Sequence, residues 1–285
     1  SASFNSLGHA QAASLGFPDL PIAVVPHPFG LRSRGEITAI AGQCAGDIAR
    51  LLCESAEKSA TVVHGSAAPV ARAARIEAPA DLEEANRFFI ERRWSDGLPI
   101  VPPTEERVMR MLAQTSRSPD EVIAAIAPAY GAATIERIAI NAVLAGCYPE
   151  YLPVLIAATE AVAAPEFNLQ SMQATTNTAT SWLIINGPVA KQLNVNSGNN
   201  CLGPGAWANA TLGRALRLIL QNIGGALPGD MDRATQGQPG KISFCCAENE
   251  SASPWPSLSV ERGHAPEVST VTGGPGSSTC DEGTI

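Results

Sequence analysis

Between residues 181 and 250 the chain sets two apolar runs, SWLIIN and ISFCCA, around one amphipathic stretch, ANATLGRALRLILQN, and fills the joints with asparagine, glycine and small hydroxyl residues. Short apolar runs bounded by turn residues read as buried strands, and apolar residues three and four apart read as one face of a helix. The pattern predicts strands at 182–186 and 242–247 and a helix over 209–222, with Leu212, Ala215, Leu216, Ile219 and Ile223 on its inner face. Strands and helices that share a core in this way make an α/β domain.

The joints carry chemistry. Asparagine offers a donor pair and an acceptor, glycine lets backbone amides approach a ligand, and a helix that begins after a Gly-rich loop has unpaired N–H groups. Thr176, Asn177, Asn186, Asn199, Gly203, Gly205, Asn209 and Arg214 are therefore expected to line a polar pocket for a small polar or anionic substrate, with the helix start and Arg214 facing a carboxylate or phosphate. Cys201, in the loop NSGNNCLGPG, is the expected nucleophile and the most reactive thiol, since a helix N-terminus and a nearby guanidinium favour thiolate. Glu248 and Glu250 flank Asn249 at a strand end, so in extended backbone their carboxylates point the same way, for acid/base work or a metal. His27 follows an apolar run, where α/β proteins present ligand-binding groups. Asp96, Asp230 and Asp232 read as turn formers, and Lys241 as a residue that could share the pocket. Cys245 and Cys246 should face opposite sides of a strand, while Cys44 and Cys147 read as packing residues.

Upstream, residues 1–60 read as helix, strand, helix. Phe4, Leu7, Gln11 and Leu15 share one helix face with Ser3 as its cap, residues 22–25 suit a buried parallel strand, and Ile37, Ile40, Ala41, Cys44, Ile48, Leu51 and Leu52 form a second apolar face. This is the N-terminal half of a Rossmann-like sandwich with an incomplete sheet, which either docks onto the second domain or finds its missing strands on another polypeptide. A linker is expected at 61–80, a larger mixed α/β domain with the polar pocket at 81–262, and a flexible Gly/Ser-rich tail at 263–285. Within the larger domain the spacing predicts helices at 81–93, 105–112, 134–146 and 152–163, and another starting at Ser118-Pro119-Asp120-Glu121.

A net charge of −8 without a basic stripe argues against nucleic acid or an anionic membrane as partner. No apolar run reaches membrane-spanning length and the opening residues lack a signal-peptide pattern, so a cytoplasmic protein is expected. Seven scattered cysteines with no CxxC read as reduced thiols. There is no tight metal-ligand spacing and no nucleotide fingerprint, so no metal is assigned and the cofactor is unknown.

The string LGFPDLPIAVVPHPFGLRSRGEI, preceded by SLGHAQAASLG, resembles the end of the UGSC domain of selenoproteins and their cysteine homologues. DGLPIVPPT, INAVLAGCYPEYLPV, NGP, LGPG, ANATLGRALRLILQNIGG and PGKISFCCAENE are similar to the companion C-terminal region of long UGSC-type proteins. The resemblance implies a thiol- or selenol-dependent enzyme whose name-giving Sec/Cys-Gly-Ser-Cys lies upstream; GSSTC at 276–280 is only an echo of it. The chain is then expected to be a subunit or processed C-terminal fragment, with a second polypeptide carrying the missing N-terminal segment. The alternatives are a self-contained metal- or acid/base-dependent lyase or hydrolase using His27, Cys201 and Glu248 or Glu250, and a non-catalytic binding subunit.

Overall fold

The computed structural model describes residues 4–14, 16–27, 32–55, 72–275 and 282–284. Ser3, Leu15, most of the expected linker and the GSSTC echo with Cys280 lie outside the described residues. The chain divides into two units, Ser1–Pro69 and Val70–Ile285.

The first unit holds helices α1 (Asn5–Ser14) and α2 (Arg34–Ser55). A reciprocal cap starts α2: the Ser33 hydroxyl and N–H both bond the Glu36 carboxylate, and the Glu36 N–H returns to the Ser33 hydroxyl. The expected strand at 22–25 does not form, because residues 21–26 have no strand beside them in this unit among the described residues. A strand needs a neighbour to take its backbone bonds, and Pro21 and Pro26 contribute no N–H. Among the described residues, the first unit holds two helices and a segment without regular structure, and no Rossmann-like sheet. Ile37, Ile40 and Cys44 of α2 are only half-buried, while Ile48 and Leu52 are 45% and 70% exposed.

The second unit is a mixed α/β body. It begins with α3 (Leu82–Glu91), capped by Asp81, whose carboxylate accepts from the N–H groups of Glu83 and Glu84. Next comes α4 (Glu105–Leu112), where a helix was expected. At Ser118 the outcome differs. The Ser118 hydroxyl bonds Asp120, the Glu121 N–H closes a turn on the Ser118 carbonyl (3.0 Å), and the chain enters strand β1 (Val122–Ile126). A start signal for a helix was spent on a turn because VIAAI pairs antiparallel with β2 (Gly131–Thr134). Thr134 then caps α5 (Ile135–Ala145), which ends at Gly146 in the left-handed conformation.

Helices α6 (Leu152–Ala163) and α7 (Leu169–Gln173) precede a four-stranded sheet of order β4-β3-β5-β6. Strand β3 (Ser181–Asn186) runs parallel to β4 (Cys245–Ala247), and the connection between them contains α8 (Pro188–Gln192) and α9 (Trp207–Asn222). Parallel neighbours require such a crossover. The core lies between one face of the sheet, with Leu183, Ile185, Cys245, Ala247 and Val271, and helices α5, α6 and α9, with Ile138, Leu155, Leu212, Leu216 and Ile219 fully buried. The expected inner face of α9 is therefore the observed one, Ile223 being partly buried against it.

Two further boundaries move. The expected strand at 242–247 keeps only its last three residues, because Pro239–Lys241 coil into a 3-10 turn and the Ser243 hydroxyl bonds the Asn209 and Ala210 carbonyls of α9. The tail contributes β5 (Thr270–Pro275), which pairs antiparallel with β3 along all six residues, and β6 (Glu282–Thr284). Its glycines serve packing: a Cβ at Gly273 would sit 3.2 Å from the Phe167 ring and 3.3 Å from Val162. The short helix α10 (Leu258–Glu261) lies between β4 and β5 in sequence. No single helix among the described residues is long and apolar enough to cross a membrane.

Candidate functional site

Asn209, in the first turn of α9 and 3% exposed, organises the loop that holds Cys201. Its side-chain oxygen accepts from the Asn196 N–H (2.8 Å), and its amide group donates to the Asn196 carbonyl (2.8 Å) and to the Cys201 carbonyl (2.9 Å). The Asn196 carbonyl also accepts from the Ala247 N–H (3.2 Å) of β4. One buried amide thereby ties the Cys201 loop to the strand bearing Cys246. The Cys201 thiol and the Trp182 indole lie close enough to Cys246 to act on its thiol, the first raising its pKa and the second opposing the rise. Cys201 is partly exposed and Cys246 is 6% exposed.

The thiols are not equivalent. Burial pushes Cys246 up to about 11, against the opposing pull of the Trp182 indole. Cys147 is driven by burial to about 12, although it donates to the Thr211 carbonyl (3.3 Å), and Cys245 is raised well above the ordinary thiol range by burial. Cys245 points into the core and Cys246 to the opposite face, the alternation expected of a strand. Sequence reading missed the pairing of Cys201 with Cys246, since nothing local marks two thiols that a crossover brings together.

At the carboxyl ends of β3 and β4 a second polar cluster forms. The fully buried Asn186 amide donates to both Glu248 and Glu250, the latter at 3.3 Å. Glu248 also accepts from the Leu258 N–H (2.9 Å) at the start of α10, and Glu250 from the Gly187 N–H (2.7 Å). The two carboxylates converge, although strand β4 has ended before them. One oxygen of each carboxylate, Oε2 of Glu248 and Oε1 of Glu250, takes all of these bonds, so Glu248 ties β3 to the start of α10. Among the described residues no group of three or more His, Cys, Asp or Glu is placed to hold a metal ion.

The other expected pocket residues disperse. Thr176 and Asn177 are exposed; Thr176 contributes only its carbonyl, to Thr235. Asn199 is exposed and offers its carbonyl to Asn196. Gly203 and Gly205 belong to a turn closed on itself: Gly203 N–H bonds the Asn200 carbonyl (2.9 Å) and the Asn200 amide bonds the Pro204 carbonyl (2.7 Å). The space an anion would occupy above Gly203 is filled by the Asn200 side chain, which a Cβ there would meet at 2.1 Å.

Arg214 is committed elsewhere. It makes a two-pronged bond to Asp96 (2.7 and 2.8 Å) and reaches the Leu98 carbonyl, and the thiol its charge acts on is Cys147. It lies farther along α9 than Asn209, whose side chain bonds the Cys201 loop. Asp232 is likewise more than a turn former, being 4% exposed and paired with Arg217 and Lys241. His27 sits in the first unit, exposed, with its ring edge-on to Phe4 at 6.0 Å.

Architecture and site together describe a mixed α/β protein in which a partly exposed loop thiol, Cys201, lies near a buried strand thiol, Cys246. Residues 1–54 match the model of the UGSC family, consistent with a UGSC-family protein. No curated protein and no solved structure matches the chain.

Proposed function

We propose that this chain is a subunit, or a processed C-terminal portion, of a UGSC-type thiol- or selenol-dependent enzyme acting on a small polar or anionic molecule in the cytoplasm. Cys201 is the reacting thiol of this chain and Cys246 its neighbour, while a second polypeptide supplies the Cys/Sec-Gly-Ser-Cys segment. The observation that carries this reading is the juxtaposition of Cys201 and Cys246 by the Asn209 clamp. Burial keeps Cys246 protonated at neutral pH, and the more accessible Cys201 is the one a reagent or substrate meets first. The UGSC match over residues 1–54 supports the chemistry, and the half-uncovered apolar face of α2 supports a partner chain.

The test is native iodoacetamide labelling with peptide mass mapping, coupled to intact-mass analysis of the native assembly. Cys201 should be modified before every other cysteine of the second unit, and the assembly should contain a polypeptide with the Cys/Sec-Gly-Ser-Cys segment. Protection of Cys201 while Cys245 or Cys246 reacts would overturn the thiol assignment. A native protein consisting of this chain alone would overturn the two-polypeptide arrangement.

A further inference from the structure

The loop that carries Cys201 is built against the strand that carries Cys246. The Asn196 carbonyl accepts from the Ala247 N–H (3.2 Å), so this segment takes the place of a further strand on the outer edge of β4, at the peptide that follows Cys246. From there the chain folds back in closed turns. The Asn196 side chain accepts from the Gly198 N–H (2.9 Å) and donates to the Asn199 carbonyl (3.0 Å), and the Cys201 N–H returns to the Gly198 carbonyl (3.2 Å). The fold-back is pinned, because the Asn209 amide group holds both the Asn196 carbonyl (2.8 Å) and the Cys201 carbonyl (2.9 Å).

A third side chain joins the pair. The Trp182 ring stacks on Phe244, with 5.1 Å between centroids and 12° between planes, and Phe244 precedes Cys246 by two residues, on the same side of the chain. The buried Nε1–H of Trp182 has no hydrogen-bond partner among the described residues, and the indole favours negative charge on the Cys246 sulfur. A buried donor is costly to leave unpaired, and this one lies near a sulfur that would accept from it once charged. The two thiols also differ in access: Cys201 is partly exposed, whereas Cys246 is 6% exposed and held protonated by burial. An oxidant arriving from solvent therefore meets Cys201 first.

We propose that Cys201 and Cys246 close a reversible disulfide with hydrogen peroxide as the oxidant, Cys201 being oxidised first, Cys246 resolving it, and the Trp182 N–H supporting the Cys246 sulfur as it gives up its proton. This switch rests on Cys201 being the reacting thiol and adds regulation to that same site. In the first step the Cys201 thiolate attacks one peroxide oxygen; an S–O bond forms, the O–O bond breaks, and the leaving hydroxide takes up a proton as water. The sulfur, now a sulfenic acid, has given two electrons to the peroxide. In the second step the Cys246 sulfur attacks Cys201 and its proton goes to the departing hydroxyl; the S–S bond forms, the S–O bond breaks, and a second water leaves. The bridge withdraws Cys201 from reaction and bars its further oxidation to sulfinic acid, and a dithiol reopens it by exchange.

The experiment treats the reduced full chain with hydrogen peroxide and follows it by intact mass and by peptide mapping after iodoacetamide in urea. The protein should lose two hydrogen atoms, Cys201 and Cys246 should both escape alkylation and appear as one bridged peptide pair, and dithiothreitol should restore both thiols. In Cys246→Ala, peroxide should leave Cys201 as a sulfenic acid that dimedone traps, and then as a sulfinic acid that dithiothreitol does not reverse. Trp182→Phe keeps the ring stack on Phe244 and removes the N–H, so Cys201 should be oxidised at an unchanged rate while closure of the bridge slows about tenfold, as expected for one hydrogen bond to a charged sulfur. Sulfinic acid on Cys201 of the unaltered chain with Cys246 still a free thiol, or a bridge from Cys201 to any other cysteine, would overturn the switch, and an unchanged closure rate in Trp182→Phe would overturn the part given to the indole. Both readouts hold even where Cys246→Ala does not fold. Alkylation of the reduced protein is read before peroxide is added: a Cys201 that labels first yet forms no bridge sinks the switch alone, whereas a protected Cys201 sinks the thiol reading beneath it.

Discussion

The Asp96–Arg214 pair joins the DGLP turn to the middle of α9, and its removal is the most informative perturbation of the second unit. The two side chains are 6% and 12% exposed and meet through two bonds of 2.7 and 2.8 Å. Opposite unit charges about 4 Å apart attract by about 4 kcal/mol at an effective dielectric near 20. Arg214→Met alone strands a buried carboxylate whose one remaining bond is to the Leu98 N–H (3.2 Å), and should cost about 3–5 kcal/mol. Asp96→Asn alone leaves a buried guanidinium with the Leu98 carbonyl and a weaker amide partner, and should cost about 2–3 kcal/mol. The double variant carries no stranded charge, so its loss should fall short of the sum of the singles by about 2–4 kcal/mol. Urea unfolding of the four proteins, with unchanged m-values, measures this coupling. Additivity within about 0.5 kcal/mol would refute the claim that the pair acts as one buried unit.

Gly213→Ala should destabilise by about 1–3 kcal/mol despite the better helix propensity of alanine, since the new Cβ would sit 2.4 Å from the Ser243 hydroxyl and 2.6 Å from the Phe244 nitrogen; an unchanged urea midpoint would contradict it. Asn209→Ala removes three side-chain bonds from a residue 3% exposed and should cost about 2–4 kcal/mol, with faster alkylation of Cys201 as its loop loosens; equal labelling rates would count against the clamp. Alkaline pH should destabilise the fold through its buried thiols. Below the model-compound value of 9.0 they are protonated in both states; above it the unfolded chain releases protons that folded Cys246 and Cys147 hold until about 11 and about 12. Stability is therefore lost by about 1.4 kcal/mol per pH unit for each such thiol, and urea midpoints measured from pH 8 to pH 10.5 should fall, less steeply in Cys246→Ala.

How much of this was legible beforehand depends on the range of the interaction involved. The helices at 105–112 and 152–163 and the inner face of α9 follow from periodicity and local caps, and they form where those signals put them. The thiol candidate was legible too, as a cysteine in a Gly-rich loop before a helix. Its partner was not, because Cys246 comes to it through a crossover and a clamp made by Asn209. Arg214 and Arg217, three residues apart on one helix, are alike in sequence; only packing sends the first to Asp96 and the second to Asp232, which Lys241 shares. Local signals also misled where a sheet outbid them. Ser118-Pro119-Asp120-Glu121 closes a turn because β1 has β2 to pair with, and the Gly-rich tail becomes β5 because β3 offers it a free edge. Residues 22–25 form no strand for the converse reason, having strand composition and no strand alongside among the described residues. Side-chain spacing and capping are properties of the chain alone and determined its helices; hydrogen-bond partners for strands, and counter-charges for buried ions, come from distant residues, and only the tertiary structure decided them.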